Sequence, residues 1–409
     1  MLDLNKIYNM DCLEGMKLLD DNSIDSIVTD PPYELGFMGK KWDSTGIAYN
    51  VELWQEALRV LKPGGHLLAF GGTRTYHRMV CAIEDAGFEI RDCIQWLYGS
   101  GFPKSHDISK AIDKQAGAER KVIGKSSRHG GGIKGNGTSN ELPPDIPYIT
   151  APATPEAQQW QGWGTALKPA NEPIVVARKP LSEKTIAENV LKWGTGGINI
   201  DGCRIPTEDN LNGGRYSDNK GNITTNVYAP SINKRSKNDY QQPEGRFPAN
   251  VILDEEAGKL LDEQSGIGKG SSKPRKNKGT GNICYGDYKT IITQNDTWGD
   301  TGGASRFFYC AKASKKERGE GNNHPTVKPV SLIKYLVTLV TPPDGVCLDP
   351  FMGSGATAIA CINTNRNYIG FELDKYYYEA ALQRIKRETA QMTLLDTPNP
   401  TGQRTGAIE

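Results

Sequence analysis

The apolar run Ser26-Ile27-Val28-Thr29 stops against Asp30-Pro31-Pro32-Tyr33, and that stop constrains the fold more than any other feature of the chain. Proline fixes φ and lacks the N–H that a sheet ladder needs, so the backbone must leave the strand there in one stiff conformation. It then presents carbonyls and the Asp30 carboxylate outward, beside the aromatic face of Tyr33. A plain turn is the alternative reading, since Asp and Pro are common where strands end. A second segment far along the chain bears on that choice. Val346-Cys347-Leu348 runs into Asp349-Pro350-Phe351-Met352-Gly353-Ser354-Gly355 and then Ala356-Thr357-Ala358-Ile359-Ala360, which is the order strand, glycine loop, helix. Glycines in such a loop let the backbone approach a ligand and place it at the helix N-terminus. The next strand, Tyr368-Ile369-Gly370-Phe371, ends at Glu372, about 20 residues past the loop, where an acid suits ribose hydroxyls. The loop lacks Gly-x-Gly-x-x-Gly spacing and offers fewer amides to a phosphate.

Periodicity extends both segments into an α/β fold. Leu53, Trp54, Ala57, Leu58 and Leu61 mark one face of a helix that ends near Pro63-Gly64-Gly65, before the strand 66–70. A helix over 76–86 stops at Gly87. Strands 88–90 and 94–98 follow closely enough for an antiparallel pair at the edge of a mostly parallel sheet. The C-terminal block supplies a helix over 331–340, the strand-loop-helix-strand unit, and a last helix from Tyr376 to about Glu388. Neither block completes a doubly wound sheet alone. They must share one, with the glycine-loop strand beside the Asp30 strand, because ligands bind where the strand order reverses.

What lies between is an irregular insert. It holds 29 of the 46 glycines, with short strands expected at 172–178 and 250–253 and a helix over 185–193. It also carries the basic balance: residues 101–320 have 32 Lys and Arg against 25 Asp and Glu, net +7, whereas the remainder has 17 against 23, net −6. Phosphate contact is the use of such a segment, and solvation of loops the alternative. Two clusters favour contact: Lys273, Arg275, Lys276 and Lys278, and Lys312, Lys315, Lys316 and Arg318.

No apolar run reaches membrane-spanning length and no basic-then-apolar leader opens the chain, so a cytoplasmic protein is expected. The eight cysteines form no Cys-x-x-Cys pair, which argues against a zinc site or a disulfide framework.

Asp30-Pro31-Pro32-Tyr33 first, an insert next, then His324-Pro325-Thr326-Val327-Lys328-Pro329 and the Phe351-x-Gly353-x-Gly355 loop resembles the β group of S-adenosylmethionine-dependent DNA amino-methyltransferases, acting on adenine N6 or cytosine N4. The resemblance covers residues 1–98 and 322–388. It implies a Rossmann-like, circularly permuted methyltransferase fold with a catalytic half (1–98), a target-recognition insert (99–321) and a cofactor half (322–388), and the prolines and glycines among polar residues near the end lead to the expectation of a disordered tail (389–409). It further implies S-adenosylmethionine as cofactor and double-stranded DNA as partner, and it allows a homodimer. Catalytic roles fall on Asp30, Pro31, Pro32 and Tyr33. Cofactor contacts fall on Asp11, Lys328, Asp349, Phe351, Gly353, Ser354, Gly355 and Glu372. Asp11 reads equally as a helix N-cap, and His324 as part of a turn. Asp in the first position leans to adenine N6, and cytosine N4 stays open. A protein glutamine methyltransferase would carry Asn-Pro-Pro-Tyr after the cofactor loop, the reverse of the order here. An RNA methyltransferase and a non-catalytic DNA-binding module are further alternatives, the latter having no need of Asp30, the glycine loop and Glu372 together.

Overall fold

A computed structural model describes residues 2–36, 41–101, 105–125, 148–209, 211, 241–269, 301–311 and 328–396. Its strands, in chain order, are β1 (Lys6–Tyr8), β2 (Ile24–Thr29), β3 (Leu61–Phe70), β4 (Glu89–Leu97), β5 (Val122–Lys125), β6 (Tyr148–Thr150), β7 (Asn171–Arg178), β8 (Val251–Asp254), β9 (Gly268–Lys269), β10 (Thr301–Gly302), β11 (Tyr309–Ala311), β12 (Val346–Asp349) and β13 (Asn367–Phe371). Helices are α1 (Cys12–Lys17), α2 (Val51–Val60), α3 (Tyr76–Asp85), α4 (Ile108–Gln115), α5 (Pro155–Gln159), α6 (Ile186–Trp193), α7 (Glu255–Ser265), α8 (Val330–Val340), α9 (Ala356–Ile362) and α10 (Lys375–Asp396). The chain divides into two compact units, one made of residues 1–99 and 171–409 and the other of 100–170.

Among the described residues, nine strands of the larger unit form one sheet in the order β1-β13-β12-β2-β3-β7-β4-β8-β11. As expected, β12 lies beside β2, parallel, with Leu348 opposite Ile27. Only β7 runs antiparallel to its neighbours, β3 and β4. Every residue of β2 is buried, as in a strand covered on both faces. One layer packs α8 and α9 on the sheet, with Leu332, Leu336, Ala358 and Ala360 in the core. The opposite layer centres on α2, whose Leu53, Trp54 and Ala57 are fully buried.

The sheet corrects three expectations. First, the insert expected to be irregular contributes to the sheet, because β7, β8 and β11 all come from residues 99–321. The run Ile174-Val175-Val176-Ala177 is buried on both faces in the middle of the sheet, where burial of apolar area outweighs the irregular composition around it. Asn189 of α6 then ties the segment after β7 to the core, its amide donating to the Pro63 and Thr195 carbonyls at 2.8 and 2.9 Å. Second, strands 88–90 and 94–98 are a single β4. Its register slips between Ile90 and Asp92, a bulge that the charged pair Arg91-Asp92 disguises as a turn. Third, α10 continues to Asp396, so the first residues of the expected tail are helical.

The smaller unit pairs β5 antiparallel to β6 and packs α4 near α5. Asp113 organises it, accepting from the Arg120 guanidinium, Thr154 Oγ1 at 2.8 Å and two backbone amides. No helix among the described residues is long and apolar enough to cross a membrane.

Candidate active site

A cavity of about 370 Å³ opens at the carboxyl ends of β1, β2, β12 and β13. The start of the reversed β7 lies at the same edge and contributes Glu172. This is where an open α/β sheet takes its ligands. Asp30, Pro31, Pro32 and Tyr33 line one part of it, and Asp349, Phe351, Gly353, Ser354, Glu372 and Asp11 another. The two sequence motifs therefore share one space.

On the β2 side, the Asp30 carboxylate has its two oxygens in different surroundings. Oδ2 accepts from Lys328 Nζ at 2.7 Å, while the buried Oδ1 has no hydrogen-bond partner. An unpaired buried acceptor is costly, so one that persists at a cavity wall is a site for a donor from a ligand. Burial raises the pKa of Asp30 and the Glu172 charge adds to that, with Lys328 opposing. The Tyr33 hydroxyl donates to Glu172 Oε2 at 2.9 Å, and its carbonyl accepts from Thr75 Oγ1 at 2.7 Å. Burial and the two carboxylates push the phenol well above its ordinary value, so it remains a donor. Asp30, Glu172, Lys328 and Tyr33 thus make one interlocked group. Lys328, expected beside the cofactor, lines the same cavity, with its ammonium 2.7 Å from Asp30 and 3.3 Å from Glu172.

On the β12 side, Asp349 holds the two halves together. Oδ1 accepts from Thr29 Oγ1 at 2.6 Å and from the Phe351 amide at 3.0 Å, and Oδ2 accepts from Thr357 Oγ1 at 2.6 Å. Burial pushes its pKa up to about 6, against those donors. With these contacts made, Asp349 acts by fixing β2 to the loop. Gly353 and Gly355 both have positive φ, at 52° and 82°. At Gly355 the reason is also packing, because a Cβ would lie 3.1 Å from that of Ala381 on α10. Ser354 is clamped from the same helix: Arg384 Nη1 donates to both its carbonyl and its hydroxyl at 2.7 Å.

Glu372 reaches back from the end of β13 to the loop. Oε2 accepts from the Gly353 amide and Oε1 from the Asp374 amide, each at 2.8 Å. Burial raises its pKa, and the two amides lower it in part. Each oxygen keeps a second lone pair for a hydroxyl donor. Asp11 is the N-cap of α1, Oδ1 accepting from the Leu13 and Glu14 amides at 2.9 and 3.2 Å, and it also lines the cavity, so both of its expected roles have a place.

Glu172 and Arg384 went unremarked in the sequence. Glu172 reads as one acid before Pro173, and only the pairing of β7 with β3 brings it to the cavity. Arg384 reads as a surface charge on an amphipathic helix. Lys273, Arg275, Lys276, Lys278, Lys312, Lys315, Lys316, Arg318 and His324 lie outside the described residues. Among the described residues no cluster of His, Cys, Asp or Glu suits a metal ion.

A family model described as DNA methylase matches residues 24–383. The chain is 22% identical over 422 residues to the type II methyltransferase M.HindIII of Haemophilus influenzae, across 93% of this chain and 94% of that one. A shorter stretch of 66 residues is 38% identical to the DNA adenine methyltransferase YhdJ of Escherichia coli, covering 16% of this chain and 22% of that one. Among solved structures, the PvuII DNA methyltransferase (cytosine-N4-specific) superposes with a TM-score of 0.43 at 13% identity, over 95% of this chain and 92% of that one.

Proposed function

The chain belongs to the DNA methylase family, and on that premise we propose that it transfers the methyl group of S-adenosylmethionine to the N6 amine of an adenine turned out of duplex DNA. The observation that carries this reading is the unpartnered Asp30 Oδ1, placed in the same cavity as the glycine loop and Glu372. The cavity suits both reactants. Its volume, about 370 Å³, lies within the range of small-ligand sites, and its mixture of carboxylates with Phe351, Leu373 and Tyr377 fits a nucleoside bearing a positive charge. When bound, S-adenosylmethionine supplies a methyl group activated by a sulfonium.

The residues do the rest by positioning. Glu372 accepts ribose hydroxyls while it braces Gly353, and Phe351 walls the methionine end. Tyr33 stacks on the extruded base, its hydroxyl held by Glu172. Asp30 Oδ1 accepts one N–H of the target amine and the Pro31 carbonyl accepts the other. These two acceptors aim the nitrogen lone pair at the methyl carbon and stabilise the positive charge that grows on nitrogen as the C–N bond forms and the C–S bond breaks. The surplus proton leaves after transfer, so no strong base is needed. A base must leave the stack to enter such a cavity.

Adenine rather than cytosine is favoured by Asp in the first position of the Asp-Pro-Pro-Tyr corner, and the short likeness to an adenine methyltransferase agrees with it. The test is direct: duplex DNA methylated with labelled S-adenosylmethionine is digested to nucleosides and analysed by mass spectrometry. The label is expected in N6-methyl-2′-deoxyadenosine. Label in N4-methyl-2′-deoxycytidine would transfer the same mechanism to the other base.

A further inference from the structure

We propose that Lys328 and Glu172 are positioning residues for methyl transfer: Lys328 occupies Oδ2 of Asp30 and leaves Oδ1 to the target amine, while Glu172 anchors both Lys328 and Tyr33. The inference rests on the role given to Asp30 in the preceding section. Its basis is one group of four side chains, Lys328 buried and the other three partly so, drawn from three separate parts of the chain. Lys328, 7% exposed, lies just before α8, Glu172 opens β7, and Asp30 and Tyr33 follow β2. The ammonium sits 2.7 Å from Asp30 Oδ2, 3.3 Å from Glu172 Oε2, and over the rings of Tyr33 and Phe70 at 5.1 and 4.9 Å from their centroids. Two carboxylates facing one cation give the group a formal charge of −1. A cation so placed directs the carboxylate as well as neutralising it, because it holds Oδ2 and leaves the buried Oδ1 of this cavity-lining residue without a partner.

The consequence is a charge balance with a defined sign. The groups that face Asp30 are Lys328 before α8, Glu172 on β7, Tyr33 at the same corner and Asp349 on β12. Among the ionised ones, only Lys328 favours the Asp30 carboxylate; Glu172 and Asp349 oppose it, and so does burial. Without Lys328 neither oxygen has its cation, so the carboxyl would keep a proton to higher pH, and a neutral carboxyl presents a donor where the amine needs an acceptor. Without the Glu172 charge the carboxylate would persist to lower pH. Lys328 itself stays protonated, since the two carboxylates outweigh its burial.

Single-turnover methylation measured against pH, together with calorimetry of S-adenosylmethionine binding, tests the assignment on the full-length protein. Lys328→Met is expected to move the acid limb to higher pH, lowering the rate about tenfold or more near pH 6 with recovery towards pH 8, while cofactor affinity stays near wild type. Lys328→Arg should restore most of the loss, and Glu172→Gln should move the limb the opposite way. A carbon-13 carboxyl titration of Asp30, identified by its absence in Asp30→Asn, reads the same displacements without turnover. A wild-type protein that methylates no DNA would refute the proposed function, and the titration would still decide the Lys328 assignment. Wild-type profiles in both variants, or shifts of the same sign, would overturn it. Should Lys328→Met not fold, an acid limb unmoved in Glu172→Gln overturns it alone.

Discussion

Asp30→Ala is expected to lower the methyl-transfer rate on duplex DNA by about a hundredfold to a thousandfold, roughly 3 to 4 kcal/mol of barrier, while S-adenosylmethionine still binds. The magnitude is that of removing one preorganised hydrogen-bond partner from a developing charge. The separation of rate from affinity follows from geometry. Asp30 Oδ2 is held by Lys328 and Oδ1 is unpartnered, and the loop contacts of Asp349, Ser354 and Glu372 do not pass through Asp30. Alanine also leaves Lys328 with Glu172 as its remaining counter-ion, so the substitution removes an acceptor without stranding a cation. Folding is therefore expected to survive, which circular dichroism would check. Residual activity within about tenfold of wild type would place the amine contact elsewhere.

Glu372→Ala should do the reverse, removing cofactor binding first. Its carboxylate joins the end of β13 to the glycine loop through the Gly353 amide and to the start of α10 through the Asp374 amide. Truncation loses the proposed ribose acceptor and leaves two amides unpaired. A loss of roughly 2 to 5 kcal/mol is expected for removing one partner of buried charged hydrogen bonds, about thirtyfold or more in Kd by calorimetry. Glu372→Gln keeps an acceptor for each amide in turn but loses the charge, and should fall between alanine and wild type. Wild-type affinity in Glu372→Ala would remove the cofactor from this end of the cavity.

Much of this site could be read from the chain because its two ends are local. A buried strand that runs into rigid residues, and a strand that runs into a glycine loop and helix, are written in consecutive positions, and their sharing of one sheet follows from the incompleteness of each alone. The brace between them was not legible in the same way. Thr29 and Thr357 look like ordinary strand and helix residues until Asp349 receives both hydroxyls. The strand β7 could be read at 172–178 but its place could not, because its position in the sheet depends on partners more than 70 residues away, such as Ala69 opposite Val175. With β7 unplaced, Glu172 had no site to belong to. The bulge in β4 misled because a charged pair on a strand and a charged turn have the same local pattern.

The most direct test of the account is a crystal structure of the protein with a non-reactive S-adenosylmethionine analogue and a duplex carrying its target. The prediction is an extruded adenine against Tyr33, its N6 within hydrogen-bond distance, about 3 Å, of Asp30 Oδ1 and the Pro31 carbonyl, with the analogue's ribose on Glu372. A base seated away from Asp30 Oδ1, or an analogue bound outside the cavity shared by Asp30 and Glu372, would contradict it.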